Sequence, residues 1–120
     1  MKRILFVVAA LAATSASASA QSVNVTLSEW KLVSTRDTVP AGRVTFQVTN
    51  SGSMTHSLYI LGDSVDRGTR DIPARQTASL TVTLKPGTYE LFCPMSEETH
   101  KKAGMTRKLV VTAGDPPKKP

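Results

Sequence analysis

One short segment of the chain carries several side chains that can bind a soft metal ion. Residues 93–105 run between two stretches with the apolar alternation of strands, and they contain Cys93, Met95, His100 and Met105. A second histidine, His56, opens an earlier strand just after a turn, where a sandwich of strands can bring it beside this segment. The chain has one cysteine and two histidines, so its thiol and both imidazoles belong to this one constellation.

The donor types favour copper. Two imidazoles, one thiolate and one more distant thioether make a trigonal site with a weak axial ligand, which suits copper in both of its oxidation states. Zinc also accepts imidazole and thiolate, but it prefers four comparable ligands, and a thioether is a poor ligand for it. The residue types therefore indicate a mononuclear copper site, with zinc as the alternative occupant.

Each of these residues also has an ordinary interpretation. Cys93 can be an inert buried thiol, a partner in an intermolecular disulfide, a nucleophile or a metal ligand. A histidine on a surface turn, such as His56, is usually solvated, and Met105 can simply fill space in a core. These interpretations weaken together, because the only cysteine and both histidines would have to fall into this arrangement by accident.

The N-terminus has the pattern of a secretory signal. A charged start at Lys2 and Arg3 precedes an apolar run over residues 4–13 and a small-residue cleavage site at residues 18–20. The apolar run is shorter than the roughly 20 residues that cross a bilayer. We therefore expect export to the periplasm with removal of residues 1–20, which leaves an unpaired cysteine in an oxidising compartment that favours paired thiols.

The exported part of the chain is small and mildly basic. Residues 21–120 number 100, enough for one domain with one modest core. Removing Lys2 and Arg3 from the 15 basic residues leaves 13 against 9 acidic ones, a net charge of +4. No basic run is interleaved with aromatic residues, so we expect no nucleic-acid partner, whereas an acidic protein surface or an anionic membrane face would suit the charge. No second apolar stretch follows the first, so we also expect no stable membrane insertion.

Apolar residues recur at every second position through most of this part, which is the period of half-buried strands. About seven to eight short strands in one domain predict an all-β fold, a two-sheet antiparallel Greek-key sandwich over residues 21–112. Residues 62–75 form the predicted long loop, and the Pro/Lys tail, residues 113–120, is expected to be disordered. The alternating segments are residues 23–32, 44–49, 56–61, 78–84, 88–93 and 106–112.

The copper segment and the strands around it resemble the cupredoxins, the relatives of plastocyanin and azurin. Residues 89–94 (YELFCP), then His100, residues 103–105 (AGM) and an apolar strand, are similar to the C-terminal copper loop of that family. Residues 40–50, leading to His56, are similar to the strand pair before its first histidine. The resemblance covers residues 23–112, and the copper ligands that it implies are His56, Cys93, His100 and Met105.

The loop departs from the family pattern in one respect. Six residues separate Cys93 from His100, whereas the common form of the loop is shorter. The extra length bears on the geometry of the site, its reduction potential and its axial ligand. Met95 is the alternative axial ligand, but it follows Cys93 too closely to reach the axial side easily, so Met105 is preferred.

The resemblance implies electron transport without enzymatic activity, in which copper alternates between Cu(I) and Cu(II) and single electrons pass to redox partner proteins. In the family, the second histidine is exposed within an apolar patch, here residues 94, 95, 103 and 104. The expected basic rim, which would suit an acidic partner surface, consists of Lys101, Lys102, Arg107 and Lys108. We expect the protein to be a monomer.

Three other functions compete with electron transport. A carrier that delivers Cu(I) to an oxidase or a resistance system would use the soft donors Met54, His56, Met95 and Met105. An enzyme with copper at an open position would need additional histidines, which this short chain lacks. A sandwich with no metal is the third alternative. The carrier is the main alternative, because its donors are present.

Overall fold

The structure, a computed structural model, describes residues 21–114 as nine strands and one short helix. The predicted signal, residues 1–20, lies outside the described residues, as do residues 115–120 of the predicted tail. Within the described part, no helix is both long and apolar enough to span a membrane. The elements are β1 (Gln21–Ser28), β2 (Lys31–Ser34), β3 (Thr38–Pro40), β4 (Gly42–Asn50), β5 (Tyr59–Gly62), β6 (Val65–Gly68), β7 (Thr77–Leu84), β8 (Gly87–Phe92), α1 (Thr99–Lys102) and β9 (Thr106–Thr112).

The strands form two sheets, with the order β2-β1-β4-β7 in one and β3-β9-β8-β5-β6 in the other. The predicted all-β, two-sheet sandwich is confirmed, although the described residues form nine strands rather than seven to eight. The sheets are mixed and not purely antiparallel as predicted, because two strand pairs are parallel, β1 with β4 and β3 with β9. Parallel pairing is possible here because neither pair is joined by a hairpin: the chain crosses to the other sheet at β3 before it returns as β4.

The core lies between the sheets and is built by the predicted alternation. In β1 and β4, every second side chain is buried, because successive side chains of a strand point to opposite faces. Phe46 is fully buried, and burying a side chain of this kind contributes roughly 1.5–3 kcal/mol. Further core residues from both sheets are Val23, Val25, Leu27, Val44, Val48, Ile60, Leu80, Val82, Leu84, Leu91, Leu109 and Val111.

The first hairpin differs from the prediction of one alternating run over residues 23–32. The chain turns at Glu29 and Trp30, with Ser28 paired to Lys31 across the hairpin. Trp30 has a φ of 61°, which is uncommon for a bulky residue. The turn places Glu29 against His56 and Trp30 against His100.

The region between residues 56 and 75 also differs from the prediction. The strand expected from His56 begins only at Tyr59, while His56 itself forms an isolated antiparallel bridge with Ile72. The expected long loop contains β6, which pairs with β5 at the edge of its sheet. This strand lacks apolar alternation, because none of its residues is fully buried.

Candidate metal centre

Three of the predicted ligands converge at one end of the sandwich. The Nδ1 atoms of His56 and His100 are 3.2 Å apart, and the Sγ of Cys93 lies 3.9 Å from the first and 3.8 Å from the second. All three side chains are buried. The structure thus brings together residues that are 37 and 7 positions apart in sequence, each of them aiming a metal-binding atom at the same point.

The position of His56 is fixed by a hydrogen-bonded loop after β4. The backbones of His56 and Ile72 exchange hydrogen bonds of 3.1 and 2.7 Å. The side chain of Asn50, which is fully buried, donates to the carbonyl oxygens of Met54 and Ile72 and accepts from the N–H of Gly52. Asn50 therefore joins both segments that hold His56. The sequence marked this asparagine only as the end of a strand.

Cys93 directly follows β8 and is held from two sides. Its backbone N–H donates to the carbonyl oxygen of Met105 at 3.1 Å, which ties the start of the loop to its end. The N–H of Ser57 donates to the Cys93 sulfur at 3.5 Å. A donor aimed at the sulfur stabilises a thiolate there, and hydrogen bonding around a cysteine ligand is one determinant of copper reduction potentials.

The extra length of the loop is taken up by a left-handed turn. Ser96, Glu97 and Glu98 have φ values of 55°, 56° and 68°, a conformation that residues other than glycine adopt infrequently. The turn leads into α1, a single helical turn that carries the buried His100. The backbone N–H of Met105 then donates to the carbonyl oxygen of His100. The longer loop therefore still delivers its histidine to the site.

The two candidate axial methionines differ in burial. Met105 is fully buried, and its backbone is bonded to both Cys93 and His100. Met95 is partly buried and packs against the edge of the core. The preference for Met105 as axial ligand stays a prediction, supported by its place at the closing end of the loop.

Burial favours the metal-binding form of His56. Burial first, and then the neighbouring charge of His100, lower the pKa of His56 from its usual value and outweigh the Glu29 carboxylate, which raises it, so the ring is neutral near pH 7. A neutral imidazole has the free lone pair that a metal ion requires. The backbone N–H groups of Met54, Glu29 itself and Ser53 lower the pKa of the Glu29 carboxyl to about 2, so a carboxylate stands beside the ring.

The donor set fits a copper ion. With the bond lengths that zinc makes, about 2.0 Å to imidazole and about 2.3 Å to thiolate, three donor atoms around one ion at trigonal angles would lie about 3.5–3.7 Å apart. The observed separations are 3.2 to 3.9 Å. Two imidazole nitrogens and one sulfur are also the donors that copper prefers over hard cations. The arrangement of His56, Cys93 and His100 therefore suits one copper ion per chain.

The expected exposed edge of His100 is not present, because the residue is only 3 % exposed. The indole of Trp30 packs edge to face against its ring, with centroids 5.0 Å apart, and Trp30 is itself 44 % exposed. Gly104 allows this packing: a Cβ there would lie 2.8 Å from the carbonyl oxygen of Trp30. Trp30 therefore supplies exposed surface beside the buried histidine.

The expected basic rim is partly neutralised. Lys101 forms an ion pair of 2.8 Å with Glu90, and the guanidinium of Arg107 binds the carboxylate of Asp37. Lys102 and Lys108 are exposed, and neither has an ion-pair partner among residues 21–114. The surplus positive charge near the loop is therefore smaller than the sequence predicts.

Solved structures with the same fold include copper proteins. The auracyanin of Roseiflexus castenholzii superposes with a TM-score of 0.64 at 18% identity, over 77% of this chain and 97% of that one. Auracyanin B gives a TM-score of 0.65 at 23% identity, over 77% and 88%. A blue copper oxidase from Nitrosomonas europaea gives 0.59 at 15% identity, over 81% of this chain and 40% of that chain. At these identities the likeness establishes the fold.

The family follows from the sequence match. No curated protein sequence matches the chain significantly. The family model for the cupredoxin-like domain matches residues 3–106, which is most of the chain and includes all four predicted ligands. Together with the two-sheet sandwich and the three converging donor atoms, this match shows that the chain belongs to the family of cupredoxin-like domains.

Proposed function

We propose that this protein is an exported, periplasmic, monomeric copper protein that shuttles single electrons, with His56, Cys93, His100 and Met105 as the copper ligands. The observation that carries the proposal is the convergence of two imidazole nitrogens and one thiol sulfur on one buried point. Copper held there would supply one-electron chemistry, because a site that suits neither oxidation state perfectly changes little between them. The export and the ligand role of Met105 are part of the proposal.

Rigid support of the donors favours electron transfer over catalysis. His56 is tied to Ile72, and Cys93 is tied to Met105, by backbone hydrogen bonds that leave little freedom to rearrange. All four predicted ligands are buried, so water and substrates have poor access to the point where the donors meet. An enzyme would need an open coordination position.

Trp30 is the proposed contact point for electron exchange. It touches the ring of His100 and reaches the surface, whereas His100 itself is almost completely covered. At the end of α1, two residues after His100, the exposed Lys102 contributes positive charge, and it forms no ion pair with a carboxylate among residues 21–114. We therefore propose a redox partner that docks with an apolar contact on Trp30 and an acidic rim.

The axial role of Met105 has a direct test. Met105→Gln is expected to keep copper bound but to lower the reduction potential, because an amide oxygen favours Cu(II) more than a thioether does. Met95→Gln is the matched control and should shift the potential much less. Protein-film voltammetry of the two variants measures both shifts, and the reverse ranking would transfer the axial role to Met95.

Electron transfer and copper delivery predict different fates for the ion. The delivery alternative has one specific feature in its favour, the thioether-bearing Met54, which is 43 % exposed two residues before His56. An electron carrier must keep its copper through repeated cycles. We expect the reduced protein to exchange electrons rapidly with a small acidic redox protein, somewhat more slowly as salt screens Lys102 and Lys108, while the copper stays in place.

Stopped-flow measurement at several ionic strengths gives the rate of electron exchange, and metal analysis of the separated proteins then shows whether the copper has stayed in place. Trp30→Ala should slow the exchange severalfold, whereas Val33→Ala, which truncates another exposed apolar residue on the same hairpin, should not. Slow exchange together with copper on the apo acceptor would establish delivery instead. Fast electron exchange at a rate that does not change with salt concentration would contradict only the proposal that the partner's docking surface is acidic.

A further inference from the structure

A carboxylate stands next to the outer nitrogen of His56. The Nδ1 of this ring faces Cys93 and His100, which leaves Nε2 on the opposite side. That nitrogen is buried and has no hydrogen-bond partner among the described residues. The atom opposite it is Oε1 of Glu29, at 3.6 Å. This separation is slightly longer than a hydrogen bond, so the contact is an electrostatic one.

The Glu29 carboxylate is held in place by the loop before His56. Its Oε1 accepts hydrogen bonds from the backbone N–H of Ser53 at 2.8 Å and of Met54 at 2.7 Å, and from the Ser53 hydroxyl at 3.3 Å. Gly52 leaves the space: a Cβ there would lie 2.6 Å from both carboxylate oxygens. The carboxylate is thus held by these hydrogen-bond donors, in a space that exists because residue 52 has no side chain.

This arrangement is unusual for a turn glutamate. Glu29 belongs to the two-residue turn between β1 and β2, in which Trp30 adopts a positive φ. A glutamate at an ordinary surface turn would extend into water, but the side chain of Glu29 is only 30 % exposed. A buried imidazole N–H without a partner costs about 1–3 kcal/mol, so the ring gains from an acceptor on this side.

We propose that Glu29 is a positioning residue of the copper site, whose carboxylate attracts the Nε2–H of His56 at ion-pair distance and so keeps the bare Nδ1 turned toward Cys93 and His100. The inference rests on the proposed copper function. Hydrogen bonds from metal-binding histidines to a carboxylate fix the tautomer and raise the basicity of the ligand. A fixed negative charge on the outer side of the ring also favours Cu(II) over Cu(I).

The metal-free protein gives the first test. If Nε2 of His56 carries the proton, Nδ1 of the same ring is a hydrogen-bond acceptor. The two Nδ1 atoms are 3.2 Å apart, so the proton between them must then be bound to Nδ1 of His100. Nitrogen NMR of the imidazoles should show protonated Nε2 on His56 and protonated Nδ1 on His100. A proton on Nδ1 of His56 in the metal-free wild type would overturn the proposal without any reference to copper.

The reduction potential gives the second test. Glu29→Gln keeps an acceptor oxygen but removes the charge, so the potential should rise while copper stays bound. Glu29→Ala removes both, and copper affinity should fall by about 10–100-fold, the usual effect of losing an outer-shell partner. The control is Asp63→Asn, which removes an exposed carboxylate in the β5–β6 turn, at the opposite end of the sandwich. Its potential should equal that of the wild type.

Gly52→Ala keeps the test valid if the Glu29 variants fold poorly. The new methyl group would displace the flexible end of Glu29 while the charge stays in the protein, and the potential should again rise. Wild-type potentials in both Glu29→Gln and Gly52→Ala would overturn the proposal. That result is distinct from a failure of the proposed function, in which the wild type itself binds no copper.

Discussion

Cys93→Ser should abolish the visible charge-transfer band of the copper-loaded protein completely. The band requires a deprotonated thiolate bonded to Cu(II), and the chain has only one cysteine. The sulfur is fully buried, lies 3.8 to 3.9 Å from both imidazole Nδ1 atoms and accepts from the N–H of Ser57. An un-ionised hydroxyl at this place supplies neither the soft donor nor the electronic transition.

Optical and EPR spectra after addition of Cu(II) measure the effect. Far-UV circular dichroism of the metal-free variant establishes that the sandwich is intact, which we expect because serine has nearly the size and shape of cysteine. Met54→Leu is the control, since it removes an exposed thioether near His56 and should leave the band unchanged. A band that persists in Cys93→Ser would refute the copper site.

The strands and the ligand positions could be predicted because both depend on local patterns. Alternation identified β9 with its observed ends at Thr106 and Thr112, and it identified β7 and most of β4. A half-buried strand buries every second residue whichever strands pair with it, so its alternation can be recognised in the sequence without knowing the topology. The scarcity of cysteine and histidine then confined the candidate site to a few positions.

The residues around the site were missed for a related reason. Glu29 and Trp30 fall within a run whose alternation continues on both sides, and neither is a glycine, proline, asparagine or aspartate that would mark a turn. Their role depends on contacts with His56 and His100, which are distant in sequence. The sequence pattern predicts only a strand end at Asn50, although its buried side-chain amide donates to the carbonyl oxygens of both Met54 and Ile72.

The lengthened loop shows where sequence spacing is an insufficient guide. Six residues between Cys93 and His100 suggested an altered site, but spacing counts residues and not the path that they follow. The left-handed turn at residues 96–98 reverses the chain within a short distance, so both donor atoms still meet. Nothing in the local sequence Ser-Glu-Glu predicts a positive φ at three successive positions.

Copper should raise the midpoint of thermal unfolding by about 15–30 °C when free copper exceeds its dissociation constant about a thousandfold. A ligand that binds only the folded state at this excess stabilises it by about 4 kcal/mol, and each kcal/mol moves the midpoint of a domain of this size by about 4–8 °C. The donors come from residues 56, 93 and 100, so an unfolded chain does not hold them together. Weak binding of copper to an unfolded cysteine would place the shift at the lower end.

Calorimetry of the metal-free protein and of the protein loaded anaerobically with Cu(I) measures this shift. Cys93→Ser should lose most of it, because one of the three converging donors is gone. Magnesium is the matched ion control: it is a hard cation that prefers oxygen ligands, and two imidazoles with a thiolate offer it none. Equal midpoints with and without copper would mean that the folded state binds copper no more tightly than the unfolded chain does. That result would contradict a site built from the three buried donors of His56, Cys93 and His100.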